Sequence, residues 1–280
     1  MAVRIVTDSL SDITPEFARE LGIDTVPVYV RFGKEVFKDR IEMSTDEFYH
    51  RLALGDVFPT TTQPSPGDFL EVYKRLAKET SEILVVTLSI KLSGTYQSAL
   101  QAKNMFEGKA RIEVIDSQKV VMGLGLIVTS AIRAAKAGAN LDQLVDLVRK
   151  AIPRSHSAMF FDTLKYLAKG GRIGKAQGLL GSLLAVKPIL TVKDGEISPL
   201  TRVRSRPAGL DYLYKFVAGF PKIEELAVEH ATTPDEAEQF AKRLGALYPT
   251  DRIIRATVSP VIGTYTGPHV LSVSVLEAAV

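Results

Sequence analysis

Ile83-Leu84-Val85-Val86-Thr87-Leu88 runs directly into Ser89-Ile90-Lys91-Leu92-Ser93-Gly94-Thr95-Tyr96-Gln97-Ser98-Ala99. An unbroken apolar, β-branched run of this kind reads as a strand covered on both faces, the habit of parallel sheets. The segment after it reads as a hydroxyl-rich turn that opens a helix. Gly94 permits a tight turn. Ser93 and Thr95 offer hydroxyls and N–H groups at the helix N-terminus, where partial positive charge gathers. Open α/β sheets hold small anions in this position, beyond the carboxyl ends of their strands. No histidine, cysteine or acid/base pair adjoins these hydroxyls in sequence. The loop is therefore equipped to bind an anion rather than to react with one. A simple helix cap accounts for the same residues equally well.

Outward from this stretch, strand and helix patterns alternate. Strands are predicted over 3–7, 25–31 and 112–115. Helices are predicted over 14–21, 45–53, 66–80, 96–106, 120–137 and 141–152. Thr14 caps the first helix with Pro15 at its first position, and Ser44 or Thr45 caps the second. Phe69, Val72, Tyr73 and Leu76 share one face of the third. This alternation predicts an α/β unit with a mainly parallel sheet covered by helices on both faces. Pro153-Arg154-Ser155 reads as a boundary. It divides 280 residues, more than one core usually holds, into α/β units over 1–153 and 154–280. The second unit reads as a mixed sheet with helices. Strands are predicted over 158–161, 188–192, 197–203, 225–230, 252–258 and 269–276. Helices are predicted over 163–168, 208–217 and 234–247, with a Gly- and Ala-rich helix running to 184. Asp194-Gly195 is a strong hairpin signal.

Composition excludes several classes. With 35 basic and 32 acidic residues the net charge is +3, too balanced to argue for nucleic acid or a membrane surface. There are no cysteines, which rules out disulfides and a thiol nucleophile. His50, His156, His230 and His269 lack metal-ligand spacing, and no metal is expected. The longest apolar run, 120–132, is too short for a bilayer span, so no stable membrane insertion is expected. The N-terminus enters a strand with no signal-peptide core, and the expected location is the cytoplasm.

A second hydroxyl loop, Pro59-Thr60-Thr61-Thr62-Gln63-Pro64-Ser65-Pro66, also precedes a helix. Its prolines make it stiff. Ser65 or Thr62 can serve as a cap, but four hydroxyls exceed one cap's needs, which leaves a ligand role for Thr61 or Thr62. Two such loops can converge at the sheet's carboxyl edge. Lys169-Gly170-Gly171-Arg172-Ile173-Gly174-Lys175 fails the phosphate-loop pattern: three residues separate its glycines where four are required, and Ala176 follows Lys175. Arg172 remains either a positioned guanidinium for a carboxylate or a solvated turn residue. Met122-Gly123-Leu124-Gly125 reads as close helix packing. Asp8, Asp12 and Asp116 lie near predicted strand ends, where a carboxylate cluster could hold a metal, but Asp8 and Asp12 read as caps and Asx turns instead. Arg202, Arg204 and Arg206 alternate along a predicted strand end, either as edge protection or as a docking patch for an acidic partner.

These motifs, with Val6-Thr7-Asp8-Ser9, Val114-Ile115-Asp116-Ser117 and Gly263-Thr264-Tyr265-Thr266-Gly267-Pro268, occur in an order that resembles the DegV family of bacterial fatty-acid-binding proteins. The resemblance covers essentially the whole chain. It implies a two-domain α/β protein holding a long-chain acyl group, such as palmitate, stearate or oleate, in an internal tunnel. It places the carboxylate between the domains on hydroxyls matching Thr61 and Ser93, with Thr62, Gly94, Thr95, Arg172 and Tyr265 completing the expected ligand site. In the kinase-coupled branch a separate ATP-dependent fatty acid kinase phosphorylates the carboxylate, and an arginine-bearing surface matching the 202–206 stretch docks it. One departure stands out: the family often carries histidine where Tyr265 stands, and glycine where His269 stands. Tyrosine donates a hydrogen bond but supplies no cation near neutral pH. The apolar stretch 179–186 is suited to line the tunnel or to serve as core.

The resulting expectation is a fatty-acid-binding protein without catalysis or cofactor of its own. Two competitors remain. One is an acyltransferase or esterase using Ser93, although no Gly-Xaa-Ser-Xaa-Gly elbow is present. The other is a sensor or scaffold with a structural lipid.

Overall fold

The structure, a computed structural model, describes residues 3–179 and 186–279. Its first half contains, in chain order, β1 (Arg4–Asp8), α1 (Pro15–Leu21), β2 (Asp24–Val26), β3 (Tyr29–Phe32), β4 (Glu35–Lys38), α2 (Thr45–Leu54), β5 (Thr60–Thr62), α3 (Pro66–Leu76), β6 (Glu82–Thr87), α4 (Thr95–Met105), β7 (Arg111–Asp116), α5 (Met122–Lys136) and α6 (Leu141–Ala151). The second half contains β8 (Ser155–Phe160), α7 (Lys165–Lys169), β9 (Lys187–Lys193), β10 (Glu196–Val203), α8 (Arg206–Ala218), β11 (Ile223–His230), α9 (Pro234–Leu244), β12 (Ile254–Thr257), α10 (Pro260–Thr266) and β13 (Leu271–Glu277).

The opening stretch is β6, an interior strand of a parallel sheet ordered β2-β1-β6-β7. Its continuous apolarity has a simple cause. Ile83 and Val85 join a core formed with Phe69, Tyr73 and Ala99 of α3 and α4. Leu84 and Val86 join the opposite core with residues of α5 and α6. Helices thus cover both faces, as the pattern predicts. The order of the strands reverses between β1 and β6, and the Asp8 carboxylate accepts the Leu88 N–H there at 2.8 Å.

The expected strand over 25–31 is two strands in two sheets. β2 ends at Val26, Pro27 cannot donate to a ladder, and β3 starts a separate antiparallel sheet ordered β4-β3-β5. β5 comes from the proline-stiffened hydroxyl loop, for which no strand was expected. Its register, Val30↔Thr61, alternates exposure so that Thr61 faces inward while Thr60 and Thr62 face out.

The second half forms a mixed sheet, ordered β10-β9-β8-β13-β11-β12, with only β11 and β12 parallel. The β9–β10 turn has Asp194 at φ 53° and Gly195 at φ 80°, the left-handed pair that a two-residue hairpin demands. The Gly- and Ala-rich helix is a 3-10 helix over Gly174–Leu179, and residues 180–185 of the expected tunnel wall lie outside the described residues.

α5 lies between the two sheets, touching β1 and β6 on one side and β8, β11 and β13 on the other. Its glycines are spacers, as the sequence suggests. A Cβ on Gly123 would stand 2.7 Å from Ser157 Oγ, and one on Gly125 2.6 Å from the Ser11 carbonyl oxygen. Among the described residues no helix is long and apolar enough to cross a membrane.

Candidate functional site

The two hydroxyl loops meet. A Cβ on Gly94 would fall 2.2 Å from Gln63 Oε1, so Gly94 is the gap through which the Thr61-Thr62-Gln63 strand end approaches the β6–α4 loop. Gln63 Nε2 also donates to Ser98 Oγ at 3.3 Å. Gly94 is the N-cap of α4 and supplies no side-chain cap; the Thr95 N–H, the first of that helix, donates to Ser93 Oγ at 3.4 Å. Ser93 Oγ and Thr95 Oγ1 share a hydrogen bond at 2.9 Å, with Thr95 buried and Ser93 half-buried. Ser89 is committed elsewhere, since its hydroxyl donates to the Gly195 carbonyl at 2.7 Å.

From the second half, α10 brings Tyr265, whose hydroxyl is hydrogen-bonded to Thr61 Oγ1. The Arg172 guanidinium lies over the Tyr265 ring, 5.3 Å from its centroid. It donates through Nε to the Leu92 carbonyl at 3.4 Å and through Nη1 to the Gly170 carbonyl at 3.0 Å. Behind this polar end lies an apolar cavity of about 60 Å³ between Leu88, Leu92, Val120, Phe161, Leu167 and Ile262. Arg172 and Tyr265 line it too. The arrangement can hold an anionic head on neutral donors, with one guanidinium beside it and an apolar body behind it.

Thr61, Ser93, Gly94, Thr95, Arg172 and Tyr265 are thus neighbours. Thr62 is not with them: it is exposed on the opposite face of β5 from Thr61. Ser65 caps α3 in a full capping box with Asp68. Asp8 accepts the Leu10 N–H two residues on, as the Asx-turn reading expects, whereas Asp12 accepts the Ser259 N–H at 3.2 Å and pairs with Arg40; Asp116 accepts the Gln118 N–H. Among the described residues no acidic or histidine group is arranged to hold a metal. The alternation of Arg202, Arg204 and Arg206 along one strand does not occur. Arg202 is in β10, Arg204 lies in the turn after it, and Arg206 opens α8. The Arg206 guanidinium is held by Glu236, Asp162 and the His269 carbonyl, whereas Arg202 and Arg204 are exposed. Sequence reading gave Gln63 no role, and missed α10 altogether. Ser259-Pro260 was the available signal, the same cap-plus-proline pair that opens α1 and α3.

A sequence model of the DegV family, described as "Uncharacterised protein, DegV family", matches residues 2–278. The chain belongs to the DegV family. A DegV domain-containing protein of Caldanaerobacter subterraneus is 37% identical over 274 residues, covering 97% of each chain. Among solved structures, the DegV family protein of Thermus thermophilus, which binds fatty acid, superposes with a TM-score of 0.91 at 30% identity over 99% of this chain and 100% of that one. DegV of Bacillus subtilis, a fatty acid binding protein, gives 0.89 at 29% identity, over 99% and 100%. The likeness extends over both sheets, so this DegV chain shares the α/β architecture as well as the motifs.

Proposed function

We propose that this DegV protein binds one long-chain fatty acid such as palmitate, stearate or oleate. The carboxylate lies between units 1–153 and 154–280, on Thr61, Ser93, Tyr265 and the N-terminus of α4. The carrying observation is continuity: Arg172 and Tyr265 belong both to the polar cluster and to the wall of the apolar cavity. The fatty-acid-binding DegV relatives support the same reading. Affinity resides mainly in the tail. Burying about 14 methylenes at ~0.8 kcal/mol each gives roughly 11 kcal/mol gross, against about 1.5–3 kcal/mol for each hydrogen bond to the charged head. The cavity volume of about 60 Å³ is below the roughly 150 Å³ that admits benzene, so the tail enters by displacing lining side chains.

The bound acid is presented to a separate ATP-dependent kinase. There a carboxylate oxygen attacks the γ-phosphorus of ATP, giving acyl phosphate and ADP. This chain supplies position, not chemistry. Exposed Arg202 and Arg204 are the docking cations in this reading. The Ser93 acyltransferase is disfavoured, because the hydroxyl bonded to Ser93 is Thr95 and not a base. The test is mass spectrometry of lipid extracted from unheated protein, with oleate titrations of Ser93→Ala and Thr61→Ala. One acyl chain per protein and about tenfold weaker binding in each variant are expected. Protein that carries no acyl chain and takes up none overturns the proposal.

A further inference from the structure

A cleft of about 810 Å³, far larger than the acyl cavity, opens between the carboxyl end of β7, the end of α6, the β9–β10 hairpin and α8. Among the described residues, none that lines it also lines the acyl cavity. Part of its wall is cationic. Lys119, Arg149 and Lys193 all face it, and among the described residues none of their charged groups has an ion pair or hydrogen bond. Two carboxylates also line the cleft, but neither pairs with these cations. Asp116 Oδ1 accepts the Ile90 N–H at 3.2 Å and the Gln118 N–H at 2.9 Å. Asp194, exposed at the hairpin tip, attracts Lys119 without forming an ion pair.

Lys119 is the informative member. It is half-buried, and desolvation lowers its pKa against the pull of Asp194. Its ammonium is still open to the cleft, whereas the neighbouring His156 Nε2 is sealed and faces Glu277 at 3.6 Å. A desolvated charge without a counter-ion destabilises the fold. An anionic ligand removes that cost. The rest of the wall is apolar, with Ile152, Pro153, Leu200 and Phe216. The half-buried Phe216 ring is held edge-on by Phe220 at 5.3 Å, and Phe220 packs on His156 at 4.9 Å.

We propose that this cleft binds a nucleoside phosphate, with its phosphates on Lys119, Arg149 and Lys193 and its base on Phe216. The volume lies within the roughly 300–1,000 Å³ of small-molecule sites. Unpaired cations on three different elements suit a chain of phosphates better than a single carboxylate. A fixed aromatic ring gives a base a face to stack on. Asp194 and Gln118, both exposed in the cleft, offer acceptors for ribose hydroxyls. The place is also apt, because α/β folds hold nucleotides beyond the carboxyl ends of parallel strands. A phosphorylated lipid meets the cations equally well but brings no ring for Phe216.

The experiment is calorimetric titration of the full chain, in magnesium-free buffer, with ADP, adenosine, tripolyphosphate and lysophosphatidate. ADP is expected to bind with a Kd below about 1 mM, weakening as salt rises. Adenosine and tripolyphosphate should each bind at least about tenfold more weakly. Lys119→Gln should weaken ADP at least about tenfold. It should not lower Tm, because it removes a charge that nothing in the protein pairs, so lost binding is distinguishable from lost folding. Phe216→Leu should weaken ADP by about fivefold or more and leave tripolyphosphate unchanged. If Phe216→Leu fails to fold, Lys119→Gln and the comparison of ADP with tripolyphosphate carry the test. Absence of ADP binding, or equal ADP affinity in Lys119→Gln, overturns the site. Tripolyphosphate binding as tightly as ADP leaves only a cationic patch and overturns the nucleoside assignment. Lysophosphatidate binding more tightly than ADP makes the ligand a phospholipid and overturns it too. Oleate uptake by the same samples is a separate readout, independent of every one of these outcomes.

Discussion

Gly170→Ala tests the head-group geometry from a residue that touches no ligand. Gly170 has φ −80° and ψ −6°, ordinary right-handed backbone, so alanine adds no conformational strain. The obstacle is steric. Its Cβ would stand 2.4 Å from Tyr265 Cδ1 and 2.6 Å from Cε1. Ordinary contact starts at 3.4 Å, so the ring must retreat by about 3.4 − 2.4 = 1.0 Å. The Arg172 guanidinium, 5.3 Å from the ring centroid, limits where the ring can go. A shift of that size breaks the Tyr265–Thr61 hydrogen bond. Overpacking of this kind costs about 1–3 kcal/mol, which for a chain of this size is a fall in Tm of roughly 2–10 °C. Losing one donor to a carboxylate costs a further ~1.5–3 kcal/mol in ligand affinity, roughly 10- to 150-fold. Calorimetric titration with oleate and a thermal melt read the two effects separately. In a Tyr265→Ala background the added methyl has room, and Gly170→Ala should change affinity by less than about twofold. Wild-type affinity in the single variant, or an equal loss in both backgrounds, refutes the placement of Tyr265 at the head group.

Other expectations follow from the same geometry. Burial raises Asp8 and Asp39 to about 7 and Glu229 to about 8, far above their ordinary values near 4. Their stabilising contribution is fully present below about pH 4 and is lost as pH rises from there through 7 to 8, so urea midpoints should fall between about pH 4 and 8 and level off above. Glu229→Gln should flatten that fall; His156 and His230, whose pKa values burial lowers, act in the opposite sense but finish by about pH 7. Arg202→Ala with Arg204→Ala should leave oleate affinity and Tm unchanged while slowing acyl phosphorylation by a partner kinase in a salt-dependent way; an unchanged rate at all salt concentrations refutes the docking surface. Arg206→Ala should instead lower Tm, because it strips the part-buried Glu236 and Asp162 of their guanidinium. Gly195→Ala, at φ 80° with its Cβ 2.6 Å from Ser89 Oγ, should destabilise by at least about 1 kcal/mol, measured by denaturation.

Local chemistry made much of this molecule legible in its sequence. The run around Val85 admitted only a strand buried on both faces, and Thr14-Pro15 and Asp194-Gly195 each encode a backbone shape within a few residues. The losses came where distant chain decides. Thr60–Thr62 is a strand only because β3 lies beside it. Arg206 looked like the third member of a periodic patch because its real partner, Glu236, is thirty residues away. The loops carrying Ser93 and Thr61 were recognisable as hydroxyl-rich segments that precede helices. Their meeting through Gly94 and Gln63 is a tertiary event that no spacing announces.

The position of α5 constrains how the molecule can move. Both flanks of this helix are used, one by each sheet, and glycines at 123 and 125 bring backbone and serine atoms too close for any lubricating layer. A fragment cut after residue 153 would keep α5 but lose the roof over half of it. Such fragments should therefore be insoluble apart and recover only when mixed. In the intact chain neither sheet can lift away from α5, so in the proposed function the room for a long tail comes from the side chains around the cavity and not from the sheets parting.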